Sequence, residues 1–207
     1  MRKGITATLV SVVAAGLAFA NSAGAPGVSD DEALQKLMDG NKRYVENKPT
    51  NAAMSDSATR PSLANSQKPY AVILTCSDSR VPPEILFDKG LGEIFVIRVA
   101  GNIPDPVVLG SIEYAAEHLG SPLVMVLGHE PSVKLAAKDC EACKGVKKCA
   151  ETKKSEFIEC VIDANAKMVA VNLTKKSKIL KHLVAEKKIK IVAAKYDLDD
   201  GVVTLFK

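Results

Sequence analysis

The sequence has no tryptophan, no internal repeat and, beyond its first twenty residues, no apolar run long enough to span a membrane. Charge of one sign is scarce as well. The formal net charge is +4 over 207 residues, and Arg2 and Lys3 at the amino terminus supply two of those units. The basic residues of 138–190 alternate with Glu and Asp, which is how solvated helix faces read, so no nucleic acid is expected as a partner. Aromatic residues make up only 4% of the chain against 47% hydrophobic, which suits one globular domain with an ordinary, largely aliphatic core.

The one long apolar run has the form of a leader. Arg2 and Lys3 make a basic start, Ile5 to Phe19 is apolar, and Ala18-Phe19-Ala20 gives the small-x-small pattern of a cleavage site. Residues 1–20 are therefore expected to be a signal peptide, with 21–28 a linker and 29–207 the folded domain. The mature protein is expected to be periplasmic or secreted, with no membrane contact once the leader is removed. No cysteine lies near the cleavage point to carry a lipid.

Ser29 is a helix cap, followed by Asp30, Asp31 and Glu32, whose charges suit a helix amino terminus. Leu34, Leu37, Met38, Tyr44 and Val45 then recur at helical spacing. Residues 48–69, with three prolines, read as a loop. From there strand and helix patterns alternate. Strands are expected at 71–75, 94–99, 123–127, 189–194 and 202–206, and helices at 84–87, 107–119 and 179–187. Strands separated by helices predict an α/β fold with four parallel strands. The tight turn Asp199-Asp200-Gly201 adds an antiparallel edge strand.

The chemistry gathers at residues 71–83, AVILTCSDSRVPP. A short, β-branched, buried strand ends at a thiol (Cys76), a carboxylate (Asp78) and a guanidinium (Arg80). His129 follows the third strand in the same way. In an open parallel sheet, ligands bind at the carboxyl ends of the strands. If these two strands are neighbours, sulfur and nitrogen donors converge there, a pair that suits zinc above calcium or magnesium. Taken singly, Cys76 reads more readily as a small buried hydrophobe and His129 as a structural histidine; the metal reading rests on their pairing.

Cys76-Ser77-Asp78-Ser79-Arg80 with Gly128-His129 resembles the signature of the β-class carbonic anhydrases. So do Gly40-Asn41-Lys42-Arg43-Tyr44, Arg98-Val99-Ala100-Gly101-Asn102, Gly110 to Ala115 and Tyr196 to Gly201. The resemblance implies the β-carbonic-anhydrase fold and reversible hydration of carbon dioxide to bicarbonate at Zn2+. It also implies a homodimer or higher even oligomer whose pockets draw on two subunits. Carried over, Cys76 and His129 are metal ligands, and Asp78 and Arg80 form the catalytic dyad. Gln67 and Gly101 belong to the substrate pocket.

The family's third ligand, the Cys of His-x-x-Cys, is missing: the segment here is His129-Glu130-Pro131-Ser132. Three outcomes follow. Asp78 can stay on the metal, making Cys76, Asp78 and His129 the three ligands of a slow enzyme. Zinc binding can be weak or lost, leaving a catalytically silent relative that serves as a binding or assembly module. Or a cysteine of the Cys/Lys-rich segment 138–160 can fill the place, although Cys140 lies about 12 Å beyond Ser132 if that stretch is helical. Cys140, Cys143, Cys149 and Cys160 otherwise read as disulfides, a redox pair or a second metal site. With Cys76 the count is odd, which fits one thiol staying free.

Overall fold

The structure, a computed structural model, describes residues 27–51, 56–129 and 154–207. The expected leader, Ser132, Cys140, Cys143 and Cys149 lie outside the described residues. Among the described residues no helix is long and apolar enough to cross a membrane.

Five strands form one sheet: β1 (Ala71–Thr75), β2 (Ile94–Arg98), β3 (Leu123–His129), β4 (Lys190–Tyr196) and β5 (Val203–Leu205). Their spatial order is β2-β1-β3-β4-β5, with β5 alone antiparallel. This is the expected architecture of four parallel strands and an antiparallel edge. β1 and β3 are buried along their whole length, which explains their unbroken apolar runs.

Alternate side chains of each strand point to opposite faces, and each face has its own core. Val72, Leu74, Val124 and Val126 pack against α4 (Pro106–Glu117), α5 (Lys154–Lys176) and α6 (Lys178–Ala185). Ala71, Ile73, Leu123, Met125 and Leu127 pack against α1 (Asp30–Val45) and α3 (Pro83–Leu86). Burying each of the Val, Leu, Ile and Met side chains among them contributes on the order of 1.5–3 kcal/mol. α1 is capped as expected, Ser29 Oγ accepting from Glu32 N at 3.2 Å. Asp105 and Ser177 cap α4 and α6 in the same way.

Two helices go beyond the sequence expectation. α2 (Thr59–Leu63) sits inside the expected loop, its start held by Asp56 Oδ1, which accepts from Ala58 N and Thr59 N. α5 has 23 residues, and its sequence carries no clean apolar stripe. The face it buries, Ile162, Ala166, Val169 and Leu173, is interleaved with apolar residues such as Val171 that stay exposed.

The α1–α3 contact is unusually specific. Asn41 is buried; its Nδ2 donates to Leu86 O and Gly201 O, and its Oδ1 accepts from Val203 N. One side chain thus ties α1 to α3 and to the β4–β5 hairpin. Beside it, Asp88 is fully buried and accepts from Arg43 Nε, Thr50 N, Thr50 Oγ1 and Asn51 N. Burial pushes the Asp88 carboxyl up, but Arg43 and the Thr50 and Asn51 donors outweigh it, leaving the group below its ordinary value.

A carboxylate with a depressed folded pKa stabilises fully above its unfolded value and loses that contribution as pH falls through the folded one. Asp88→Asn is therefore expected to cost about 2–3 kcal/mol near neutral pH. The gap between wild type and variant should shrink below about pH 4. Thermal melts across pH check this; a gap that does not narrow in acid would show that Asp88 is not stabilised as an anion.

Candidate active site

Thr75, the last residue of β1, is opposite Leu127 of β3, and its hydroxyl donates to Leu127 O at 3.0 Å. Cys76 follows at once and His129 two positions beyond Leu127, so both emerge at the carboxyl edge of neighbouring parallel strands. Cys76 is 8% and His129 1% exposed. His129 lies inside β3 rather than beyond it, paired with Tyr196. Cys76 is a free thiol, whereas Cys160 is in a disulfide, so the cysteine-rich segment has at least one end in such a bond. The edge is closely packed because Gly128 has no side chain. A Cβ there would sit 3.3 Å from both Ala166 Cβ and Ile162 Cγ2 of α5.

Asp78 and Arg80 form the expected dyad. Arg80 Nε donates to Asp78 Oδ1 at 3.0 Å and Nη2 to Oδ2 at 2.8 Å, a bidentate pair, and Arg80 N also reaches Oδ1 at 3.0 Å. The Arg80 hydrogen bonds hold the Asp78 carboxyl well below the usual carboxylate range, against the opposing effect of burial, and the nearby His129 adds to the lowering. Both oxygens of Asp78 are thus committed to Arg80, so Asp78 has to release the guanidinium before it could take a metal.

A buried thiol just past β1 and a buried imidazole at the end of the neighbouring β3 suit zinc by donor chemistry. They are one short of the three protein ligands of a catalytic zinc. Among the described residues no group of three His, Cys, Asp or Glu side chains stands together.

Arg98 is a part of the site that residue spacing does not single out. Its Nε donates to Cys76 O at 3.2 Å and its Nη2 to Asp78 O at 2.5 Å. It therefore fixes the backbone of the loop that presents both the thiol and the carboxylate. Gly101 sits in the following turn (Ala100–Asn102) at φ 70, a left-handed conformation suited to glycine. Asn165 of α5 donates to Gly101 O at 3.0 Å and anchors that turn. The signal for Arg98 was its place in the Arg-Val-Ala-Gly-Asn turn; its target, two carbonyls of the loop after β1, is a tertiary fact.

Gln67 lies elsewhere in the chain. With Arg60, Leu63, Leu91, Tyr114 and Leu119 it lines a cavity of about 680 Å³, and none of Cys76, Asp78, Arg80 and His129 lines it. His118 caps the end of α4, and His182 is exposed on α6 beside Glu186, surface positions as their helices suggest. Glu113 accepts from Ser177 Oγ and joins α4 to the start of α6.

A mostly parallel sheet with a thiol and an imidazole at one carboxyl edge, and an aspartate–arginine clamp beside them, makes this an α/β domain with a candidate site at the strand ends. The family described as carbonic anhydrase matches residues 71–162. Carbonic anhydrase 2 of Mycobacterium tuberculosis is 49% identical over 105 residues, 51% of this chain and 50% of that protein. The carbonic anhydrase of Mycolicibacterium smegmatis is 50% identical over 98 residues, 47% of each chain. The chain spans about half the length of these relatives.

Among solved structures, the β-carbonic anhydrase CafA of Aspergillus fumigatus superimposes with a TM-score of 0.67 over 86% of this chain and 90% of that one, at 21% identity. The Coccomyxa β-carbonic anhydrase in complex with acetazolamide gives 0.66 over 84% and 86%, at 24% identity. Two tetrameric β-carbonic anhydrases are described from Sordaria macrospora, and the match to that structure has a TM-score of 0.60 over 84% and 97%, at 20% identity. Residues 71–162 match the carbonic anhydrase family, and the chain has the β-carbonic anhydrase fold.

Proposed function

We propose that this protein catalyses the reversible hydration of carbon dioxide to bicarbonate at a zinc ion held by Cys76, His129 and Asp78. The observation that carries the reading is the placement of the buried Cys76 and His129 at one edge of adjacent strands, beside the Asp78–Arg80 clamp. Zinc, when bound, supplies the Lewis acidity that brings the pKa of a water to about 7. The chain supplies the rest. The thiol and imidazole are already buried, and Arg98 fixes the loop that carries Cys76 and Asp78.

As a third ligand, Asp78 would have to give up Arg80 and could no longer serve as a hydrogen-bond acceptor beside the metal, so a slow enzyme is expected. Gln67 lies apart from the centre of its own chain, which supports a homodimer or higher even oligomer in which the Gln67 of a second copy completes the pocket. The disulfide at Cys160 is in keeping with export to an oxidising compartment, periplasmic or secreted, as the leader at 1–20 suggests.

A second reading is a catalytically silent member of the family, a binding or assembly module with weak zinc. It is favoured by the hold of Arg80 on both oxygens of Asp78, together with Ser132 in the sequence slot of the third ligand. Zinc content and a stopped-flow CO2 hydration trace on purified protein separate the two. About one zinc per chain with catalysis above the uncatalysed rate supports the enzyme; no hydration even with zinc supplied sinks it. Ser132→Cys is expected to raise zinc affinity by at least tenfold, measured against a competing chelator. An unchanged affinity would mean that Ser132 does not occupy the ligand slot.

A further inference from the structure

The turn that follows β2 is fixed from two sides. Arg98 binds the carbonyls of Cys76 and Asp78, and Val99 N donates to Thr75 O at 3.0 Å. From the other side Asn165 holds Gly101 O. The turn therefore packs on the carboxyl ends of β1 and β3, where Cys76 and His129 emerge. Its last residue is Asn102, 1% exposed, with a backbone N–H that donates to Val99 O at 2.9 Å. The side-chain Nδ2 of Asn102 is buried and, among the described residues, has no hydrogen-bond partner.

Among the described residues no hydrogen bond from Nδ2 accounts for an asparagine at this place. Its φ is 47°, a left-handed conformation that glycine adopts more freely. A buried amide without an acceptor costs on the order of 1–3 kcal/mol, which glycine would also avoid. An asparagine kept under both costs, in a turn built against the candidate active site, has the profile of a donor awaiting an oxygen.

We propose that Asn102 is a substrate-binding residue whose Nδ2 donates a hydrogen bond to an oxygen of bicarbonate at the Cys76–His129 centre, an inference that rests on the carbonic anhydrase reading. The amide is neutral and donates only from nitrogen, so it favours the acceptor-rich bicarbonate over carbon dioxide, a poor acceptor. Its effect is therefore on bicarbonate affinity more than on the hydration step.

The test uses the zinc-supplied full chain as wild type, Asn102→Gly and Asn102→Asp. Asn102→Gly suits the backbone and removes the donor; Asn102→Asp keeps the shape and turns an anion toward the substrate. Bicarbonate Kd by calorimetry, bicarbonate KM and kcat in the dehydration direction, and melting temperature are measured. In Asn102→Gly, Kd and KM are expected to rise about tenfold, the value of one hydrogen bond, with kcat changed less. The melting temperature should not fall, and Asn102→Asp should bind more weakly still.

Equal Kd values in wild type and Asn102→Gly overturn the inference, whether the melting temperature holds (a buried water only) or drops (a structural role). If the wild type hydrates no carbon dioxide, the enzyme reading fails separately, and the Kd comparison still decides Asn102.

Discussion

Gly40→Ala is expected to destabilise the fold by roughly 3–5 kcal/mol, enough to unfold a domain of ordinary stability near physiological temperature. The cause is a single contact. A Cβ on residue 40 would lie 1.8 Å from Phe87 O and 2.7 Å from Phe87 C, both backbone atoms just past α3. Backbone cannot swing aside as a flexible side chain can, so α1 has to lift away from α3. That movement would also break the three hydrogen bonds of Asn41 and the grip of Arg43 on buried Asp88. Denaturant unfolding of the variant checks it. A loss under about 1 kcal/mol would mean that the α1–α3 approach is looser than the structure has it.

Cys76→Ser is expected to weaken zinc binding by more than about 100-fold, beyond the usual effect of changing a residue that merely supports a ligand. Hydration activity should fall to the uncatalysed rate with it. A thiolate is a strong, charge-neutralising zinc ligand, whereas a serine hydroxyl stays protonated near neutral pH. The substitution is nearly isosteric at a site that is 8% exposed. The melting temperature of the metal-free protein should therefore change little, which separates loss of a ligand from loss of fold. Metal content after dialysis against a weak chelator is the measurement. If Cys76→Ser holds zinc as tightly as wild type, the centre is not where the thiol and imidazole meet.

The sheet was readable from local pattern because its strands are short, β-branched and fully buried. Such runs fit neither an amphipathic helix nor a loop, and Asp199-Asp200-Gly201 could only reverse the chain. The caps Ser29, Asp105 and Ser177 act within three residues of themselves, so their neighbours in sequence are their partners in space. α5 was harder to read, since apolar residues on several sides blur the stripe that faces the sheet. α2 was hidden by Pro61 within it and the prolines of the surrounding loop, though Asp56 three residues ahead of Thr59 marks its start.

The sequence by itself determined which chemical groups stand at the ends of the strands: a thiol, a carboxylate, a guanidinium and an imidazole, with serine where a second thiol is expected. Only the tertiary structure decided how they are engaged. Arg80 takes both oxygens of Asp78, Arg98 reaches across from β2 to hold the loop, and Asn102 is left with a donor and no acceptor. Residue type sets what a group can bind, and is fixed by the chain. Which partner it binds depends on distances of about 3 Å between segments far apart in sequence, and those exist only once β1, β2 and β3 lie side by side.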